Sequence, residues 1–196
     1  MLPPTDPHLL HRAFSDDDGE AWAQIVREYT PLIRRFAHSV GWYEQHMEEL
    51  IQEVMLTLLK KRGEFEYDPR GRFRNYLFAV VRNTAFALGR RITRDGAENG
   101  HSALIDGLAQ EDGALIRAWD AQWELWHKHR AFETVSRTVN PAHWAIFLDV
   151  AVAGLDPSAV AEKHGVSVDN VYQIKKRVLE AIRKQIQRQI EDEELP

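Results

Sequence analysis

The chain has 196 residues, is 44% hydrophobic and carries a formal charge of −5, enough for one ordinary globular domain or two small ones with real cores. It has no cysteine, which excludes disulfides, thiolate metal sites and a thiol nucleophile. No apolar stretch approaches bilayer-spanning length, and the opening MLPPTDPHLLHRAF lacks a basic segment followed by an apolar run, so a soluble, cytoplasmic protein is expected.

Between Trp22 and Val40, apolar residues recur at three- and four-residue steps, the spacing of one helix face. Pro31 is a candidate kink. Asp16 to Asp18 precede this segment and are expected to cap it rather than to bind a cation. After Gly41, the row Met47, Leu50, Ile51, Val54, Met55, Leu58 and Leu59 marks the clearest helix in the chain, which ends at Gly63. GEFEYDPRGR, residues 63–72, reads as a loop. Phe73, Tyr76, Leu77, Val80, Val81, Thr84 and Leu88 define the inner side of the next helix. Thr93 to Gly113 has four glycines and few large apolar residues, the composition of a tether. Helical character resumes near Leu115, and at least three more helices follow Pro141. The expected fold is all-α, with a helical domain at 1–94, a flexible linker at 95–114 and a second helical domain at 115–196.

Leu155 to Val178 reads as a helix, a tight turn at Gly165 and a second helix, the pattern of a DNA-binding helix-turn-helix. Val160, Ala161, Val166, Val171, Ile174 and Val178 fill the apolar offsets, His164 is the one polar exception, and Ser167 is placed to cap the second helix. The outward face then presents Asp169, Asn170, Tyr172, Gln173 and Lys176, flanked by Lys175 and Arg177. Asn and Gln can pair bidentately with adenine, while Lys and Arg can reach guanine or phosphate.

Charge follows the same organisation. Arg70 to Arg94 holds seven arginines and no acid, and Val171 to Ile190 holds six Lys or Arg against Glu180 alone. The acids gather at Asp16 to Asp18, at Glu48, Glu49 and Glu53, and in the tail from Glu191 to Glu194.

Three blocks in this order resemble the extracytoplasmic-function sigma factors, group IV of the sigma-70 family. They are Glu48-Glu49-Leu50-Ile51-Gln52-Glu53-Val54, then Phe73-Arg74-Asn75-Tyr76-Leu77-Phe78-Ala79-Val80-Val81-Arg82-Asn83, then the helix-turn-helix. The resemblance implies an initiation factor that binds RNA polymerase core, opens the −10 promoter region and reads the −35 element. It places Glu48, Glu49, Gln52 and Glu53 against the clamp helices of the largest polymerase subunit and assigns a second contact to the flap region. It gives Arg72, Phe73, Arg74, Asn75, Tyr76, Arg82 and Asn83 to −10 DNA, the arginines holding phosphates and Asn75 and Tyr76 receiving an unpaired base. Ser167, Asp169, Asn170, Tyr172, Gln173, Lys175, Lys176 and Arg177 go to −35 DNA. An anti-sigma factor or other regulator is a candidate further partner. Because core polymerase would supply most of the non-specific attraction to DNA, an acidic factor with two basic islands suits this role. Tyr76 replaces a usual Trp, Ala87 a frequent Asp, and Asp169-Asn170 a frequent Gly-Thr, departures that bear on promoter sequence.

Other functions find less support. His127, His129 and His143 lack ligand spacing and read as solvated residues, so no metal or cofactor is expected. Glycine-rich phosphate loops, HExxH and GxSxG are missing, which disfavours an enzyme. Trp119, Trp123 and Trp126 share a helix face and read as a packing stripe against the second domain, with a regulator-docking patch as the alternative. A stand-alone helix-turn-helix regulator with a sensing or dimerising first domain is the second reading of function. A non-DNA adaptor for polymerase or a signalling partner is the third.

Overall fold

A computed structural model describes residues 7–16, 18–61, 73–94 and 113–194. Among them the regular structure is helical: α1 (Pro7–Phe14), α2 (Gly19–Ser39), α3 (Met47–Lys60), α4 (Phe73–Arg94), α5 (Gly113–Thr138), α6 (Pro141–Phe147), α7 (Pro157–His164) and α8 (Val168–Glu194). The loop expected at 63–72 lies outside the described residues, as does the expected linker apart from Gly113 and Ala114, which open α5.

Contacts divide the chain into two compact units, one built mainly from residues 5–126 and the other from 127–192. In the first unit, Asp18 caps α2, its carboxylate accepting from the backbone N–H groups of Glu20 (2.9 Å) and Ala21 (3.1 Å). The Ala21 bond, then the one from Arg12 (2.8 Å), holds the Asp18 carboxyl below its usual range. Helix α2 continues through Pro31 and buries Ile25, Tyr29, Leu32, Ile33 and Phe36. Helix α3 buries Met47, Leu50, Ile51, Val54, Met55 and Leu58, the row its periodicity predicts, and α4 buries Phe73, Leu77, Val80, Val81 and Leu88.

The tryptophan stripe belongs to this same core. Trp119, Trp123 and Trp126 are 2–3% exposed and pack with the residues of α1 to α4. Trp123 and Trp126 stack on Tyr29 at 6.2 and 5.4 Å between ring centroids, and Trp119 meets Phe36 edge-on at 5.1 Å. The sequence assigned residues 115–126 and their stripe to the second domain. Amphipathic periodicity shows that a face is buried, but not which core it enters. Burial also removes the docking-patch alternative, since these indoles offer no surface to a partner.

In the second unit, the core consists of Val135, Ile146, Phe147, Val150, Val160, Ala161, Val171, Ile174 and Val178. Asn140 caps α6 by accepting from Ala142 N–H (2.9 Å), and Pro141 occupies the first helical position, where its missing N–H costs nothing. A π-helical turn at Leu148–Val152 extends α6. His127 is 3% exposed rather than solvated. The Gln189 amide donates to His127 Nδ1 and to its carbonyl (both 3.1 Å) and accepts from Ala131 N–H (3.2 Å).

Gly165 ends α7 at φ +65°, ψ 35°. Its N–H donates to Glu162 O (3.3 Å), and Val166 N–H to Ala161 O (3.0 Å), the paired bonds of a Schellman cap. A Cβ at this position would meet nothing within 4 Å, so only backbone strain opposes a side chain. Gly165→Ala should therefore destabilise the second unit by about 1–2 kcal/mol, with Gly165→Asn milder. Urea unfolding of the full chain, followed by Trp144 fluorescence with the other tryptophans replaced by Phe, measures both.

Candidate nucleic-acid interface

On the first unit, the outward side of α3 carries the three acids and one amide expected to bind a basic partner. Glu48 and Gln52 are exposed, and Glu49 and Glu53 are partly exposed. The acids already have cationic neighbours. Arg34 of α2 pairs with Glu48, and Arg91 of α4 pairs with Glu49 and lies 4.0 Å from Glu53. His46 Nδ1 is 3.3 Å from Glu49. Replacing Glu49 with Lys would set two cations against each other, so such a variant tests the fold as well as any docking. The sequence missed Arg34 and Arg91 because pairs between helices leave no spacing signal in the chain.

Arg91, Glu53, Thr57, Lys61, Tyr76 and Asn83 line a groove of about 510 Å³ floored by Val80 and Leu88. Ala87 also lines it. Tyr76 is half-buried there, and desolvation pushes its hydroxyl pKa up, so it stays a neutral phenol that can donate a hydrogen bond.

The α4 residues assigned to DNA separate into three groups. Asn75 and Asn83 are exposed, and Arg82 is partly exposed, with its guanidinium 3.4 Å from Asn83 Oδ1. Arg74 is held inside the unit, paired with Asp120 and lying 5.8 Å from the Trp123 ring centroid. Phe73 is 4% exposed and packs edge-on against Tyr29 at 5.2 Å and Phe14 at 6.1 Å. The resemblance set Phe73 and Arg74 against DNA, whereas the structure gives Phe73 to the core and pairs Arg74 with the half-exposed Asp120. An aromatic and a cation are equally suited to either place, so residue type alone did not separate them. Arg72 lies outside the described residues.

On the second unit, α7 starts on Asp156, whose carboxylate accepts from Ser158 N–H (2.8 Å). Ser167 Oγ accepts from Asn170 N–H (3.2 Å) and caps α8. Val171, Ile174 and Val178 point into the core, leaving Asp169, Tyr172, Gln173, Lys176 and Arg177 exposed and Asn170 and Lys175 half-buried. Tyr172 is 54% exposed, a large ring left in water on the same face.

The polar exception His164 has a structural partner. The π-turn carries Asp149, whose Oδ2 lies 2.7 Å from His164 Nε2 and 2.8 Å from Lys163 Nζ. One carboxylate thus ties the last turn of α7 to the turn after α6. The hydrogen bonds from His164 and then Lys163 hold the Asp149 carboxyl below its ordinary value of 3.8. The folded protein therefore binds fewer protons at Asp149 than the unfolded chain. This stabilises the fold above pH 3.8 and is lost as pH falls through the lower folded value. Asp149→Asn should be less stable than the parent at pH 7, with the difference shrinking below pH 4. Urea midpoints of both proteins between pH 7 and 3 measure it.

Residues 25–95, which hold the face of α3 and all of α4, match the family model of sigma-70 region 2. The match shows a likeness to the sigma-70 family over this stretch. No curated protein matches the chain at a significant level. No helix among the described residues is long and apolar enough to cross a membrane.

Proposed function

We propose that this chain is a non-catalytic sigma factor of the extracytoplasmic-function group that acts in the cytoplasm. In this reading α3 docks on the clamp helices of core polymerase, α4 engages the opened −10 strand, and α7 and α8 read the −35 element. The second unit also meets the flap region, an anti-sigma factor is a further candidate partner, and the expected linker joins the two promoter contacts. The carrying observation is the region 2 match over residues 25–95, on which an outward acidic face lies one helix away from a row of Asn75, Arg82 and Asn83. The capped helix pair of α7 and α8, with Gln173 and Lys176 exposed near the start of the second helix, supports the −35 assignment.

Within this scheme the acids of α3 work on a basic partner by exchange, giving up Arg34 and Arg91 for the partner's cations. Both sides of the exchange are solvent-facing, so it selects the partner and its register more than it adds affinity. Asn75 and Tyr76 offer an amide and a half-buried ring beside the groove, a hydrogen-bonding edge and a stacking face for one unpaired base. Arg82 supplies a phosphate contact.

Gln52 isolates docking, because it is exposed on the acidic face and takes no part in the ion pairs of its neighbours. Gln52→Lys should weaken binding to core polymerase by about tenfold, a penalty of about 1.4 kcal/mol, with an unchanged unfolding midpoint. Titration of labelled full chain with core enzyme measures this, and equal affinity would remove α3 from the interface. For promoter reading, Gln173→Ala should relax preference at one base pair by about 1–3 kcal/mol, whereas Arg177→Ala should weaken all sequences alike. Selection from randomised −35 duplexes by each variant bound to core separates the two. Recovery of the parental preference with Gln173→Ala would contradict the placement of α8. Tight, palindromic binding without core would instead favour a stand-alone regulator.

A further inference from the structure

The second half of α8 carries a basic surface that the −35 assignment does not use. Arg183, Lys184 and Arg188 are all exposed. Residues seven or eleven apart on a helix of 3.6 residues per turn fall within about 20° of each other. Lys176 and Arg183 therefore form one row, and Arg177, Lys184 and Arg188 form a second beside it. Both rows continue the face that presents Gln173.

Three observations indicate what this face meets. First, most of its charge is uncompensated: among the described residues none of Arg183, Lys184 and Arg188 has a carboxylate partner, Glu180 reaching only Lys176, at 3.9 Å, and Glu191 accepting from Gln187 at 2.9 Å. In the first unit Arg34, Arg74 and Arg91 are each paired with an acid. Second, the rows hold charge without apolar anchors. Of the large apolar residues exposed on α8, Val168 and Tyr172 lie at its start and Ile190 beyond Arg188. Charge without apolar area fits a polyanion better than a protein partner with a hydrophobic centre. Third, α8 is too long for a groove. Its 27 residues extend about 40 Å, whereas a major groove is about 12 Å wide. Arg183 stands about 15 Å, and Arg188 about 22 Å, beyond Gln173 along the axis. A helix whose start contacts bases must leave the groove across the sugar-phosphate backbone, and the cations sit along that exit.

We propose that Arg183, Lys184 and Arg188 form a phosphate-binding arm that holds duplex DNA flanking the element read by the start of α8. This inference rests on the assignment of α8 to DNA and adds a sequence-independent contact beyond it. The arm acts by releasing counterions, so it adds affinity and salt dependence while leaving base preference unchanged.

The test uses full chain bound to core polymerase and a promoter duplex recovered by the −35 selection. Binding is measured across salt concentrations for the parent, for the triple variant Arg183→Gln, Lys184→Gln, Arg188→Gln, and for the charge-retaining variant Arg183→Lys, Arg188→Lys. The triple variant should flatten the log-log salt slope by about 2–3 units, at about 0.9 per phosphate lost, and select the parental −35 sequence. The charge-retaining variant should keep the parental slope, which separates charge from packing. Duplexes trimmed to the edges of the −35 element should bind the parent more weakly and abolish the difference between parent and triple variant. An unchanged slope overturns the arm. A loss of affinity that persists on trimmed duplexes, or that appears in core binding without DNA, also overturns it and identifies an acidic protein surface as the occupant. Gln173→Ala run in parallel distinguishes the two levels. If it alters −35 preference while the triple variant leaves the slope intact, the arm fails and the reading helix stands. If it has no effect on preference, the assignment of α8 fails and the arm with it.

Discussion

Tyr29 is the point on which the first unit converges. Its ring is fully buried, stacks on Trp123 and Trp126 of α5 and meets Phe73 of α4 edge-on at 5.2 Å. Trp126 Nε1 donates to Glu28 O (3.0 Å), so the neighbouring residue of α2 fixes the same indole through its backbone. Aromatic contacts of this kind contribute about 0.5–1.5 kcal/mol each beyond the area they bury. They set the start of α4 against α2, and that placement determines where Asn75 and Tyr76 emerge one turn later. Phe73 therefore acts on the candidate DNA surface from beneath it, by positioning its neighbours.

Electrostatics divides the two units. In the first, the cations that could have faced a nucleic acid are partly turned inward: Arg91 crosses to the acids of α3, and Arg74 goes to Asp120. Exposed pairs of this sort contribute little to stability and exchange readily when a better-placed partner arrives. Their consequence is a muted acidic face that a strongly basic surface can engage while a weakly basic one gains little. In the second unit Arg183, Lys184 and Arg188 have no carboxylate partner among the described residues, whereas Lys176 lies 3.9 Å from Glu180 and Asp149 is paired with Lys163 and His164. A chain of net charge −5 thereby keeps a basic stretch from Lys175 to Arg188 within α8, ahead of the acids at Glu191 to Glu194.

Local physics made much of this legible in the sequence. The row from Met47 to Leu58, the turn at Gly165 and the cap at Ser167 each depend on residues within a few positions of one another, and spacing reports such relations directly. The outward set on α8 follows from its inward set by the same periodicity. What escaped the sequence involves partners distant along the chain. The burial of Trp119, Trp123 and Trp126 in the core with α2, the pairing of Arg91 with Glu49, and the tie between Asp149 and His164 require that separate helices already be packed. His127 misled for the same reason, since its buried position is set by Gln189 on another helix. A histidine at the one polar offset of a helix-turn-helix is the kind of local inconsistency that marks an unseen partner. His164 was visible as such before its carboxylate was.

Run-off transcription tests the initiation role most directly. Purified core polymerase, a pool of promoter fragments and the full chain are combined, and transcript 5′ ends are mapped with and without the chain. Discrete start sites that appear only with the chain, each with a shared element near −10 and another near −35, are the predicted result. Start sites unchanged by the chain, even though it binds the DNA or the core enzyme alone, would contradict it.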